Sequence, residues 1–110
     1  IGHAIENSIG YGKYLHGEAI SIGQIAAAKL SHEVSGLPQR DIERIEDLFR
    51  RAGLPTQIKL NSLQRQKLFA AMKLDKKVSG GEIKFVLARK IGKVEFNQKV
   101  PMELIADVLK

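Results

Sequence analysis

The apolar positions of this chain follow a helical period over most of its length and a strand period over one stretch. From Ala19 to Leu30 they recur at three- and four-residue steps, with Ala19, Ile22, Gly23, Ala26 and Leu30 on one face. Ile20, Ile25, Ala27 and Ala28 fill the neighbouring positions, so this helix is apolar nearly all round. Such a helix is buried on most of its sides. It is expected to end near "SGLP", where Gly36 supplies a C-cap and Pro38 blocks continuation.

The next segment, Pro38 to Ala52, is amphipathic. Ile42, Ile45, Leu48, Phe49 and Ala52 form its inner stripe, and Glu46–Arg50 and Asp47–Arg51 make i,i+4 pairs on the other side. It stops at "GLP", Gly53 to Pro55. A third helix starts at Asn61 or Ser62, carries Leu63, Leu68, Phe69 and Met72 inward, and runs towards Asp75. Then the period shortens. In "EIKFVLARKIGKVEF", Ile83, Phe85 and Leu87 alternate with Lys84, Val86 and Ala88, and Val94 stands against Lys93 and Glu95. That pattern predicts two short strands joined through "RKIG". Pro101 opens a last helix with Leu104, Ile105, Val108 and Leu109. The fold class expected over residues 1–110 is therefore mainly α, a single multi-helix domain with one small β-hairpin. The chain contains no repeat and no internal linker.

Composition narrows the possibilities. At 110 residues with 44% hydrophobic content, the chain suits one globular domain and not a disordered segment. Its longest uncharged stretch, Ala19 to Ala28, falls short of the roughly 18–20 residues a bilayer span needs, so no membrane partner is expected. The absence of cysteine removes disulfides and thiolate metal sites and fits a reducing cytoplasm, the expected location. A net charge of +6 makes polyanions plausible partners: nucleic acid, acidic lipid or a phosphorylated metabolite. Nucleic acid is the poorer fit. Aromatics are only 5% with no Trp, which leaves little to stack bases on. Arg40, Arg44, Arg50, Arg51, Arg65 and Lys67 also spread around helices and alternate with acids, without forming one basic face.

Two places remain as candidates for chemistry. His3 and His16 stand in "GHAIE" and "LHGE", each beside glycine and followed within three residues by a carboxylate. Their spacing matches no short metal motif, so capping or core roles stay as open as ligation or catalysis. His32, at the polar end of a helix, is expected to be a solvated surface histidine. The second place is "MKLDKKVSGGE", where Lys73, Lys76 and Lys77 beside a glycine pair suit an anion such as phosphate. Lysines at a helix C-terminus are also favoured by the macrodipole without any ligand. No Gly-rich phosphate loop follows a strand, and no Ser-His-Asp set is evident.

Taken together, "GHAIE", "GYG-x-x-LHGEAI-x-IG", "AGLP", "M-x-x-DKK", "FVL" and "IGK" resemble, in order and spacing, the C-terminal domain of the 3-dehydroquinate synthase family. The likeness runs from Gly2 to Lys93. It implies an enzyme of the shikimate pathway, a carbon–oxygen lyase that converts 3-deoxy-D-arabino-heptulosonate 7-phosphate into 3-dehydroquinate and releases phosphate. It implies two cofactors, NAD and a divalent metal such as zinc. Residue by residue, His16 resembles a zinc ligand of the family. His3 matches a residue near the substrate phosphate that assists proton transfer, and Lys76 matches a phosphate-binding lysine. Glu6 and Glu18 are then supporting hydrogen-bond partners. The family's other zinc histidine lies four positions before the one matching His3, upstream of Ile1, as do its glutamate ligand and its NAD-binding domain. The resemblance therefore implies a C-terminal piece of a longer, homodimeric enzyme, inactive alone and partnered by its own N-terminal NAD-binding domain. Two other readings stand beside it: a piece of a sister sugar-phosphate cyclase, and a basic helical module that binds RNA or a protein.

Overall fold

The computed structural model describes residues 1–9, 14–78 and 83–109, with side chains at all these positions other than 9 and 75–78. The elements run α1 (Gly2–Ile9), α2 (His16–Ser35), α3 (Gln39–Arg51), α4 (Ser62–Val78), β1 (Lys84–Lys90), β2 (Lys93–Lys99) and α5 (Met102–Val108). The fold is mainly α with a two-stranded antiparallel hairpin, as the periodicity implies.

Helix α2 is buried as its pattern requires: Ala19, Ile22, Ile25, Ala26, Ala28 and Leu30 are all inside. It packs against α1, α3, α5 and β1. Ala19, Ile22, Ala26 and Leu30 join Ala4 and Ile5 of α1, Leu68 and Met72 of α4, Leu87 of β1 and Ile105 of α5 in one core cluster. A smaller cluster of Ala28, Leu37 and Ile42 seats α3. Full burial of each such Leu or Ile stabilises the fold by about 1.5–3 kcal/mol. The helix stops at Gly36, whose φ of 80° is left-handed and would strain any other residue; its N–H caps the Ser31 carbonyl. His32 is exposed, as expected, yet it is not simply solvated. Its Nδ1 donates to the Leu37 carbonyl at 2.6 Å and fastens the turn beyond the cap.

The hairpin turns at Ile91–Gly92, with Gly92 at φ 94°. Its ladder passes from Phe85–Gln98 to Leu87–Glu95, so Val86 faces both Phe96 and Asn97, and Asn97 takes a positive φ of 56°. A second register shift, between Ala88 and Lys90, pairs Val94 with Ala88 and Glu95 with inward Leu87, and so changes which residues of β2 face inward. Strict alternation puts Val94 inside; instead Val94 is 62% exposed and Glu95 is half-buried. Val86 and Phe96 are exposed as well. The hairpin is held to α2 by a buried hydroxyl. Ser31 Oγ donates to the Ala27 carbonyl at 2.7 Å and accepts the Ala88 N–H at 2.9 Å.

Two helical stripes also need correction. On α3, Ile42 is buried and Ile45 and Phe49 partly so, but Leu48 is 64% exposed and Ala52 lies at the surface. The reason is that α3 docks on α2 through the end carrying Ile42, which leaves its later turns uncovered. Its ion pairs form as expected, Arg50–Glu46 at 3.3 Å and Arg51–Asp47 at 3.0 Å. On α4, Leu68 and Met72 are core and Leu63 is exposed. Asn61 and Gln64 cap this helix reciprocally, at 2.8 and 3.1 Å, and it continues to Val78, past Asp75. Among the described residues no helix is long and apolar enough to cross a membrane.

Ser31→Ala deletes the acceptor of a part-buried amide, so urea unfolding is expected to show a loss of about 1–3 kcal/mol. Leu48→Ala, at an exposed position, is expected to stay within about 0.5 kcal/mol of the parent.

Candidate functional site

Helix α1 has only eight residues, too few to be stable in isolation. It exists because Ala4 and Ile5 are buried in the core against α2 and α4. That anchoring turns His3 outward and leaves Glu6 partly exposed, because residues three apart share a face. His16 is the first residue of α2, with its side chain 66% exposed. The two helices therefore bring His3, Glu6 and His16 to one surface.

The geometry there is specific. His16 Nδ1 donates to Glu6 Oε2 at 2.9 Å. A carboxylate only accepts, so in the neutral imidazole Nδ1 carries the proton and Nε2 keeps its lone pair. The ring of His3 stacks beside that of His16, with centroids 6.4 Å apart and planes at 27°. Glu18 acts elsewhere, on the start of the helix. It accepts the Leu15 N–H at 2.8 Å and places negative charge in the first turn of α2, where the helix dipole favours it.

An imidazole tied at Nδ1 to a carboxylate and free at Nε2 is the arrangement in which histidine binds a metal. His16 thus fits as one donor to a divalent ion. Among the described residues, no group of three or more His, Asp or Glu side chains comes together to hold such an ion.

Lys76 and Lys77 fall in the last turn of α4, and their side chains lie outside those described, as do residues 79–82 of the lysine-rich turn. Lys73 is exposed. Helix α4 packs on α1, so the segment carrying Lys76 belongs to a helix adjoining His3 and Glu6. Two clefts, of about 380 and about 430 Å³, are lined by none of His3, Glu6 and His16. Among the described residues, the His3 and His16 side chains are both exposed. The pairing of Glu6 with His16 joins residues ten apart on two helices, which no local periodicity reveals. Its one sequence signal is the i,i+3 spacing of His3 and Glu6 around buried Ala4 and Ile5.

This fold belongs with the sugar-phosphate cyclases. The chain superposes on 2-epi-5-epi-valiolone synthase from Streptomyces hygroscopicus subsp. jinggangensis, solved with NAD+ and Zn2+, at a TM-score of 0.79 and 27% identity, covering 98% of this chain and 30% of that one. It also matches a 2-deoxy-scyllo-inosose synthase solved with carbaglucose-6-phosphate, NAD+ and Co2+, at a TM-score of 0.78 and 28% identity, covering 98% and 32%. Residues 1–78 match the family model described as 3-dehydroquinate synthase C-terminal, and the chain belongs to that family. The 3-dehydroquinate synthase of Nitrosospira multiformis is 39% identical over 108 residues, covering 98% of this chain and 29% of the relative. That of Bordetella pertussis is 47% identical over 91 residues, covering 83% and 25%. The chain thus spans between a quarter and a third of the length of these relatives.

With a single oriented imidazole as donor, zinc titrated into the 110-residue chain is expected to bind far more weakly than the roughly 10–16 kcal/mol of a complete structural site. Isothermal titration calorimetry checks this. Tight, stoichiometric uptake contradicts it.

Proposed function

We propose that the chain contributes the C-terminal metal- and phosphate-binding face of a 3-dehydroquinate synthase, which converts 3-deoxy-D-arabino-heptulosonate 7-phosphate into 3-dehydroquinate and phosphate. The observation that carries this reading is the Glu6–His16 hydrogen bond, which presents Nε2 of an exposed imidazole on a member of this family. His16 binds the divalent metal through Nε2. Glu6 fixes the ring's tautomer and orientation and raises its basicity. His3, on the same surface, lies towards the substrate phosphate and exchanges a proton with its oxygens as it departs. Lys76 supplies a cation to that phosphate. Zinc or a similar ion polarises the substrate hydroxyls, and NAD accepts and returns a hydride, when both are bound. On this reading the other metal donors and most of the NAD site lie in an N-terminal domain, the enzyme is a cytoplasmic homodimer, and the 110 residues alone do not turn over.

A sister cyclase is the second reading, favoured by the structural neighbours at TM-scores of 0.79 and 0.78. The 3-dehydroquinate synthases stand closer in sequence, at 39 and 47% identity. The basic binding module is less supported. Arg44, Arg50, Arg51 and Arg89 each pair with a carboxylate of the chain, at 3.0–3.8 Å.

The test is phosphate release from 3-deoxy-D-arabino-heptulosonate 7-phosphate by the full-length protein carrying this chain. Release is expected to require NAD, to stop with chelator, and to collapse in His16→Ala. Glu6→Ala is expected to lower metal affinity by about 10–100-fold. No release from this substrate, with release from a cyclase substrate such as a hexose 6-phosphate, moves the assignment to the sister enzymes.

A further inference from the structure

Helices α1 and α2 meet backbone to backbone at a pair of glycines. A methyl group built on Gly23 lies 2.8 Å from the nitrogen of Gly2 and 3.0 Å from its Cα. Those atoms belong to the main chain of the first turn of α1 and cannot rotate away. A methyl on Gly2 is less constrained, meeting the Ile20 Cδ1 at 3.1 Å and the Ala19 carbonyl oxygen at 3.3 Å. Gly17, on the same helix as Gly23, has nothing within 4 Å. Two glycines of α2 therefore differ sharply in what they permit.

The contact at Gly23 shares a face with the candidate site. Gly2 lies opposite Gly23 and Glu6 opposite His16, so α1 and α2 run antiparallel. Gly2 and Glu6 are four residues apart and lie on one face of α1. His16 and Gly23 are seven apart, about two turns, and lie on one face of α2. The glycine contact and the acid–imidazole contact are thus two ends of a single helix–helix seam.

We propose that Gly23 is a positioning residue for the His16 imidazole: its missing side chain sets how closely α1 approaches α2, and through that the Glu6–His16 hydrogen bond. The functional meaning of this role rests on His16 being a metal ligand; the geometry does not. Carbon contacts relax to about 3.5–4.0 Å, so a methyl at position 23, 3.0 Å from the Gly2 Cα, pushes the start of α1 back by roughly 0.5 Å or more. A rigid retreat of that size along the bond stretches the 2.9 Å contact between Glu6 and His16 to roughly 3.4 Å, past the usual range of about 2.7–3.2 Å. The bond that selects the His16 tautomer is thereby weakened.

A purely structural role for Gly23 predicts something else: lower stability with the His16 ring unchanged. The two are separated by the ring nitrogen resonances of His16 in the ¹⁵N-labelled 110-residue chain, recorded without metal in alkaline buffer where imidazole is neutral. Gly17→Ala is expected to keep the parent ratio of Nδ1–H to Nε2–H forms. Gly23→Ala is expected to lower that ratio roughly tenfold, the worth of one hydrogen bond to a charged group. Gly2→Ala is expected to fall between, because the tip of Ile20 can swing aside. A folded Gly23→Ala chain with the parent ratio overturns the proposal, even if its melting temperature drops. Should Gly23→Ala not fold, Gly2→Ala decides, and an unchanged ratio there overturns it. The readout uses no substrate, so a wrong reaction assignment leaves this result standing and a wrong positioning role leaves the assignment standing.

Discussion

A twenty-residue helix that is apolar on nearly every side must find partners on nearly every side, and α2 does so with α1, α3, α5 and β1. The remaining elements are arranged by that demand. The short α1 would not hold a helical form in water; it is ordered by burying Ala4 and Ile5 beside Ala19 and Ile22. The hairpin is tied on by the Ser31 hydroxyl and by Leu87, and α3 by Ile42 against Ala28 and Leu37. Without the burial of α2 there is no surface on which the site could be built.

The chemistry is assembled on the seam this burial creates. His16 begins α2 and Glu6 lies on the docked face of α1, so the hydrogen bond between them joins the two helices. An exposed imidazole would ordinarily sample several rotamers and both tautomers. Here one nitrogen is occupied by a carboxylate, and the other is left available as a donor. The metal-ligand role proposed for that donor fits the chain's membership of the 3-dehydroquinate synthase C-terminal family. Both cyclase neighbours were solved with NAD+ and a divalent metal, Zn2+ in one and Co2+ in the other. The chain spans only 25–29% of the length of the Bordetella and Nitrosospira 3-dehydroquinate synthases.

Much of the fold is legible in the sequence, for a clear reason. Periodicity reports which residues share a face, and α2, α3, α4, α5 and the hairpin all have strong periods. It does not report whether that face is covered. Leu48, Leu63 and Val94 sit at inward phases and are exposed because a helix docks over part of its length or because a register shift between Ala88 and Lys90 resets the strand. Helix α1 has too few residues for a period to declare itself. The Glu6–His16 pair depends on a tertiary contact, which a single sequence does not encode locally. The metal and phosphate roles proposed for His16, His3 and Lys76 rest on resemblance, since the spacing of the histidines matches no metal motif.

The proposed function stands or falls with His16 as a metal ligand. Its most direct test is X-ray absorption at the zinc edge of the metal-loaded full-length protein, comparing the parent with His16→Ala. The variant is expected to lose one imidazole scatterer, at about the 2.0–2.1 Å of a zinc–nitrogen bond, from its coordination shell. An unchanged set of imidazoles around the zinc in the variant would contradict it.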